Sequence, residues 1–536
     1  MAYKKYLSPL LPAIVVALLF IPWLGLMYFY SKGEPREAIV AVSMLDSGNW
    51  ILPVSHGGDI PYKPPFLAWL IALCSVIFNG GDVNEFTSRL PSAIAAVSLL
   101  IATCVLLRKR VGSYKASVTM LVTATCFEFF RAGIACRVDM LLTLFMVGAV
   151  YLIYTMRNKP WRWIAAILFL SGATLTKGPV GSLLPCMAMG LYELLCGRNF
   201  LRTLGKMLLL VVLSWIIPAL WYYAAYQQGG ETFAYLAWEE NIGRLTGTMG
   251  YESHVNPWYY NIVSLIAGAL PWTVPVVLCM YSAKVRDVIR TQCRNIMNRD
   301  ASFGKLAWIV GLTVLIFYCI PASKRSVYLL PCYPFIAYGI MTILVAAEKT
   351  RMIAIWKNIL VVLAILAPVA FMIICLTDIV GLQTEIPAWW QWILAFSPTV
   401  FAIGMFGKRF SHHALTCCMA LTVMLYIAYS GTFAPAIMNE RSDAHKAEIL
   451  HERIPAGDVI VTHINADSLL RYYSINFYMH DRLRLAGDTI PDGAWLLTDE
   501  KCEGAEMLTR RSADTRTPIY IVHNNHKEGE IESSVK

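Results

Sequence analysis

Apolar blocks of about 17 to 25 residues recur a dozen times along the chain, the length a helix needs to cross roughly 30 Å of hydrocarbon at 1.5 Å per residue. A single water-soluble core would not repeat that length so often. The chain has 536 residues, 57% of them hydrophobic and only 15% charged, with a mean hydropathy of +0.54. Lipid is therefore the expected solvent for most of it. The blocks predict about thirteen spans, near 7–30, 90–107, 116–130, 139–156, 161–176, 180–197, 205–225, 258–282, 306–321, 327–346, 353–376, 387–406 and 413–433. The first follows Lys4 and Lys5, lacks a small-residue cleavage site and is read as a retained helix. Pro64 to Asn79 is apolar but short and begins with two prolines, so it is read as an interfacial or re-entrant helix.

The net charge of +10 does not point to nucleic acid, because Lys and Arg sit in short clusters between the apolar blocks. Numbering the spans puts about 23 of them on one side and about 10 on the other ahead of the C-terminal region, the bias that marks the cytoplasmic face. Thirteen of the fourteen cysteines lie in or beside apolar segments and act as small hydrophobes, with no disulfide framework implied.

The ten bases that fall on the outer side are Lys32, Arg36, Lys63, Arg89, Arg131, Arg137, Lys177, Arg244, Lys324 and Arg325. Glu34, Glu37, Asp139 and Glu240 lie within a few residues of them. Ionisable groups at a membrane surface or inside it are costly unless paired or facing a wet cavity, so this convergence predicts a functional site. In Gly33-Glu34-Pro35-Arg36-Glu37, Pro35 suits the first turn of a surface helix and Gly48 its end. Glu34 would stand at the positive end of that helix, held as a carboxylate that could orient an acceptor or take its proton. Asp139, beside Arg137, is the competing base. Lys63, fixed by Pro64 and Pro65 at the mouth of an apolar helix, is placed to bind a lipid phosphate. With Arg244, Lys324, Arg325 and the phenol of Tyr328, it would supply the donors that stabilise a leaving phosphate. Arg36, Glu37, Arg89, Arg137, Lys177 and Glu240 are the supporting charges.

These segments, in this order, resemble the polyprenyl-phosphate-dependent glycosyltransferases of the GT-C type, specifically the bacterial lipid A aminoarabinose transferase and protein O-mannosyltransferase superfamily. The resemblance rests on Glu34 to Arg36, on Ser47-Gly48-Asn49-Trp50-Ile51-Leu52-Pro53, on Lys63-Pro64-Pro65 and on Arg89 to Ala93. It continues through Arg137 to Asp139, Lys177-Gly178-Pro179 and Tyr328 to Pro331. It implies a GT-C bundle with juxtamembrane helices in the first outer loop, in a bacterial inner membrane. It also implies a sugar donor on undecaprenyl or a similar polyprenyl phosphate, with Lys63, Arg244 and Tyr328 as donor-phosphate ligands and Lys324 and Arg325 beside them. The acceptor would be a lipid such as lipid A, another glycan or a protein. Two positions depart from the pattern: Gly33 stands where the superfamily begins its acidic pair with Asp, and Tyr62 where the aminoarabinose transferases have Glu. The second removes a carboxylate that would serve a metal. No cofactor is required by the sequence, and a divalent metal stays open.

Residues 1–438 are expected to form the membrane enzyme and residues 439–536 a small periplasmic α/β domain with strands at Val459 to Thr462, Tyr473 to Tyr478 and Ile519 to Val522. His56 and His254 are outer and lack a partner at ligand spacing, so they are read as solvated loop histidines. Trp258, Tyr259 and Tyr260 read as an interfacial aromatic belt. The competing function, a lipid-linked glycan or anion transporter or flippase, would also gather Lys and Arg. It would be expected to show two related halves and a midplane site, and neither is visible in the sequence.

Overall fold

The protein was analysed as a computed structural model, which describes residues 10–30, 33–61, 63–156, 159–243, 246, 255–297, 301–377, 384–405, 413–463, 469–485, 490–502, 504–508 and 519–524. The first helix, α1 (Leu10–Phe20), is shorter than the expected 7–30. Pro22 has no N–H and disfavours helical backbone just before it, and residues 21–27 turn instead.

The segment after α1, expected to be the first outer loop, holds two helices. In α2 (Glu34–Ser47), Pro35 occupies the first turn and Gly48 closes the end in the left-handed region at φ 68°. Its buried face carries Ala38, Ile39, Ala41, Val42 and Met44. The other, α3 (Phe66–Phe78), packs on α2 and on the long span α4 (Glu85–Val111) while exposing Leu73, Val76, Ile77 and Phe78. A short apolar helix with one protein-facing and one bare apolar side fits the interfacial reading. Asn84 starts α4 with a reciprocal cap, accepting from the Thr87 N–H at 2.9 Å while its own N–H reaches the Thr87 hydroxyl at 3.0 Å.

Thirteen spans were expected. Among the described residues, five helices are long and apolar enough to cross a membrane: Glu85–Val111, Phe200–Gly243, Ser326–Ala347, Arg351–Leu376 and Ala414–Arg441. Two sharply bent pairs raise the number to seven. In one, α6 (Phe127–Gly133) meets α7 (Val138–Tyr154) at 111°; in the other, Tyr260–Gly268 meets Thr273–Cys279 at 92°. The expected 116–130 span divides into α5 (Ser113–Ala124) and α6. Further apolar helices fall below span length, among them α8 (Trp161–Lys177) and α9 (Val180–Leu195). The packed bundle core runs from Val16 to Val423 and takes in Phe477 from nearer the C-terminus.

Among the described residues near the C-terminus, five strands form one sheet: β1 (Ile460–His463), β2 (Leu483–Leu485), β3 (Trp495–Thr498), β4 (Glu506–Met507) and β5 (Tyr520–His523). Their order is β2-β1-β3-β5-β4, with β1 parallel to β2 and β3, and β5 antiparallel to β3 and β4. The strand expected at Tyr473 to Tyr478 is instead part of a helix, Leu469–Tyr478. Tyr472, Ile475 and Met479 are all buried, and that spacing of three and four is the period of a helix face. The sheet and this helix share a small core of their own, including Leu450, Ile460, Leu483 and Leu497.

The sheet unit is tied through Asp481 to the loop that carries α2. One carboxylate oxygen accepts from the His56 N–H at 2.8 Å and from Asn476 Nδ2 at 2.8 Å, and the other from the Ser43 hydroxyl at 3.0 Å. His56 and Asp481 both hold left-handed backbone, at φ 55° and 56°. Asp tolerates that region better than most residues do.

Candidate functional site around Lys63 and Asp139

The turn after α2 is braced by Asn49, whose side-chain oxygen accepts from the N–H groups of Ile51 and Leu52 while its amide donates to the Leu52 carbonyl at 2.9 Å. Two indoles then fix the backbone: Trp69 donates to the Trp50 carbonyl at 2.7 Å and Trp221 to that of Ile51 at 3.1 Å. The run Ser47 to Pro53 is thus a folding device that leads the chain to Lys63. The loop encloses a cavity of about 350 Å³ whose wall includes Arg36, Glu37, Asp59, Lys63, Trp221 and, from the sheet unit, Tyr473. Tyr473 donates to Asp59 at 3.1 Å.

Lys63 pairs with Glu37, which also accepts from Arg36 at 3.3 Å. Burial would raise the Glu37 carboxyl, but Lys63 and Arg36 together hold it below the usual carboxylate range. Burial, opposed by Glu37 and helped by Arg36, pulls the Lys63 ammonium down to about 8, and Glu240 also acts on it. Lys63 is only 17% exposed.

At the bend between α6 and α7, Asp139 lies in the first turn of α7 and accepts from Lys177 Nζ at 2.5 Å. The same ammonium sits 4.2 Å from the centroid of the Tyr328 ring, a cation–π contact. Asp139, Lys177 and Tyr328 are therefore brought together from three separate helices, and the charge of Lys63 also reaches Asp139. Lys177 can end its helix there because Gly178 takes φ 83° and has no side chain. A Cβ at Gly178 would stand 2.2 Å from Asn241 Oδ1, in the turn Glu239–Gly243 that carries Glu240.

Glu34 has a different setting. Both its oxygens bind Arg89, at 2.9 and 3.3 Å, and Oε1 also accepts from the Cys136 N–H at 2.9 Å. Burial would raise its carboxyl, yet Arg89 and these bonds hold it below the usual range. Arg89, 1% exposed, also donates to the carbonyls of Leu24, Met27 and Tyr28. The pair is wholly inside the protein and ties the loop after α1 to α4.

Lys324 is 4% exposed, and its ammonium donates to three backbone carbonyls, of Asn256, Pro321 and Ala322. The Arg325 Nε is buried with no hydrogen-bond partner among the described residues. Arg137 lines a second cavity, on the Glu34 side of α2. Arg244 and His254 lie outside the described residues.

Sequence reasoning missed Glu128, which is 3% exposed and binds Arg131 at 2.6 and 3.0 Å and the Ser326 hydroxyl at 2.8 Å. Its signal was an acid and a base three apart inside an apolar block. His56, expected to be solvated, is 1% exposed and stacks on Tyr472 at 4.2 Å. Burial, helped by Arg484, holds its imidazole neutral, down to about 3. Among the described residues no group of three or more His, Cys, Asp or Glu is placed to hold a metal ion. The donor set at this site is one of cations and paired carboxylates, so it does not fit a metal and no step is routed through one.

The dolichyl-phosphate-mannose-protein mannosyltransferase family matches residues 62–222, which span Lys63, Arg89, Asp139 and Lys177. The crystal structure of ArnT from Cupriavidus metallidurans bound to undecaprenyl phosphate superposes with a TM-score of 0.71 at 18% identity, covering 96% of this chain and 97% of that one. The chain has the GT-C fold of the aminoarabinose transferase and protein O-mannosyltransferase type. The apo structure of the same ArnT gives 0.70 at 17% identity, covering 98% of each chain. Among curated relatives, an undecaprenyl phosphate-alpha-4-amino-4-deoxy-L-arabinose arabinosyl transferase of Shewanella sediminis is 26% identical over 65% of this chain and 61% of its own length. An uncharacterized protein of Aquifex aeolicus is 26% identical over 62% of each. The chain thus matches about three-fifths of the length of these curated relatives.

Proposed function

We propose that this protein is a glycosyltransferase that moves a sugar from a polyprenyl phosphate, such as undecaprenyl phosphate, to a lipid, glycan or protein acceptor on the periplasmic side of a bacterial inner membrane. The observation that carries the reading is the Asp139–Lys177–Tyr328 cluster, gathered from three helices close enough to Lys63 for its charge to act on Asp139. The similarity of the chain to undecaprenyl-phosphate aminoarabinose transferases supports it.

In this reaction the acceptor oxygen bonds to the anomeric carbon, the bond from that carbon to the phosphate oxygen breaks, and the acceptor proton must be taken up. Charge grows on the leaving phosphate, where fixed cations lower the barrier most. Lys63 and Arg36 line the cavity and fill this role, with Arg325 and, following the resemblance, Arg244 and Tyr328. We leave Lys324 out of that set, because its ammonium is already turned onto three carbonyls.

Two carboxylates compete for the acceptor proton. Both oxygens of Glu34 are occupied by Arg89, whereas Asp139 uses Oδ1 for Lys177 and its Oδ2 carries no hydrogen bond among the described residues. We assign the base to Asp139 and take Glu34 to be the anchor of α2. The experiment is a comparison of lipid, glycan and protein masses from cells expressing the wild type, Asp139→Asn or nothing. A glycosyl mass increment present only with the wild type supports the reading, and identical spectra from all three overturn it.

A further inference from the structure

A cavity of about 450 Å³ lies at the far end of the helices that carry the site. Its wall includes Arg110 from the last turn of α4, Tyr154 from the end of α7, Gln292 from the helix Ala283–Met297, and Ser302, Lys305 and Trp308 at the start of the helix Phe303–Cys319. Asp139 stands in the first turn of α7, and Tyr318, near the end of Phe303–Cys319, packs its ring 5.2 Å from that of Tyr328. At 1.5 Å per residue the run of helix from Asp139 to Tyr154 is about 22 Å long, so this cavity is no part of the site around Lys63 and Asp139.

The cavity is basic, and among the described residues no Asp or Glu lines it. Arg110 is exposed and has no ion pair among the described residues; its guanidinium lies 4.9 Å from the centroid of the Tyr154 ring, and Nη1 donates to the Leu106 carbonyl at 2.8 Å. Those two contacts fix the planar group and leave Nη2 for another acceptor. Lys305, 2% exposed, adds a second positive charge, its ammonium donating to the Leu195 carbonyl at 2.6 Å. Arg290, on the neighbouring helix Ala283–Met297, is a different kind of base: it is exposed, pairs with Asp287 at 3.4 Å and does not line the cavity. From the mouth, Trp308, Leu312 and Ile316 stand exposed at successive turns, an apolar stripe along the outside of Phe303–Cys319.

We propose that this cavity holds the headgroup phosphate of an anionic phospholipid from the leaflet opposite the Lys63 site, with Arg110 as its ligand, Lys305 as a fixed charge behind it and an acyl chain along Trp308, Leu312 and Ile316. A guanidinium suits a phosphate because its planar fork donates in a fixed geometry and stays charged. Basic pockets between membrane helices suit such headgroups, and an indole at the mouth sits well at the boundary between headgroup and hydrocarbon. The wall is assembled from the ends of α4, α7 and two further helices, so the lipid ties those ends together, and a ligand that binds only the folded state stabilises it. A lipid held here is neither donor nor acceptor, because the length of α7 separates it from Asp139.

The test is a titration of the purified protein in detergent, read by native mass spectrometry, with phosphatidylglycerol, phosphatidylcholine and inorganic phosphate as probes. Arg110→Ala removes the proposed ligand, Arg290→Ala controls for surface charge and Lys63→Ala for the cavity at the other end; the thermal unfolding midpoint without lipid shows the fold intact in each. Phosphatidylglycerol should bind the wild type and both controls about tenfold more tightly than phosphatidylcholine, the scale of one charge-assisted hydrogen bond, and the preference should vanish in Arg110→Ala. Added phosphatidylglycerol should also raise the unfolding midpoint of the wild type more than that of Arg110→Ala. Equal binding of the two phospholipids by the wild type, a preference that survives in Arg110→Ala, or a loss as large in either control would overturn the proposal. Displacement of bound phosphatidylglycerol by inorganic phosphate at matched concentration would overturn the assignment of the ligand as a lipid.

Discussion

Lys177 donates a 2.5 Å hydrogen bond to Asp139, joining the last turn of one helix to the first turn of another at the end of the bundle where Lys63 also sits. This pairing uses Oδ1 of Asp139 and leaves Oδ2 without a hydrogen bond among the described residues, which is what an acceptor base requires. Asp139→Asn should therefore preserve folding and donor binding while lowering turnover about a hundredfold or more, the usual scale for a general base. Single-turnover transfer rates check it. A rate near wild type would remove Asp139 from the chemistry.

Glu34 predicts the opposite pattern. Removing one member of a buried ion pair leaves the other charge uncompensated, at a cost of about 3 to 5 kcal/mol. Glu34→Gln should lower the thermal unfolding midpoint strongly, and any protein that remains folded should retain much of its turnover. A stable Glu34→Gln enzyme with turnover lost would return the base to Glu34.

The position of Lys63 gives a pH dependence. Its ammonium loses its proton as pH rises through about 8. A polyprenyl monophosphate has its second ionisation near pH 6, so its charge is constant above about pH 7.5. Donor affinity should then fall between pH 7.5 and 9.5, by at most about tenfold per unit, and Lys63→Arg should flatten the fall because guanidinium stays protonated. Titration of undecaprenyl phosphate across that range checks it, and a flat wild-type profile would contradict the assignment.

The sequence showed α2 with its proline start and glycine stop, and the short apolar helix after Lys63, because each is written in local spacing. It did not show which charge pairs with which. Glu34 and Arg89 are 55 positions apart, and only the folded loop makes them one buried unit. The same limit hid the sheet unit's part in the site, since Asp481 reaches Ser43 and His56 across more than 400 residues. Span length was overread where apolar composition runs through a break. Pro22 stops α1, and the break between Ala124 and Phe127 divides the expected 116–130 span into α5 and α6. The Leu469–Tyr478 helix was read as a strand because a short aromatic run satisfies both periods until burial decides.

That long-range link makes Asp481 a test of the sheet unit's role. Asp481→Ala would leave the donors on His56 and Asn476 without this acceptor, each loss costing about 1 to 3 kcal/mol where it is buried, while the Ser43 hydroxyl keeps the Ile39 carbonyl. Amide hydrogen exchange should rise across residues 51–61, the wall of the Lys63 cavity, while exchange in the spans stays unchanged. Unchanged protection in that loop would mean that the sheet unit does not hold it.

The central claim is that Lys63 and its cavity receive the phosphate of a polyprenyl donor. Direct titration of purified wild type and Lys63→Ala with undecaprenyl phosphate at pH 7 tests it most simply. A charge-assisted hydrogen bond is worth roughly 1.5 to 3 kcal/mol, so the account predicts an affinity loss of about ten- to a hundredfold in a variant that remains folded. Equal affinity in the two proteins, or no saturable binding to the wild type, would contradict it.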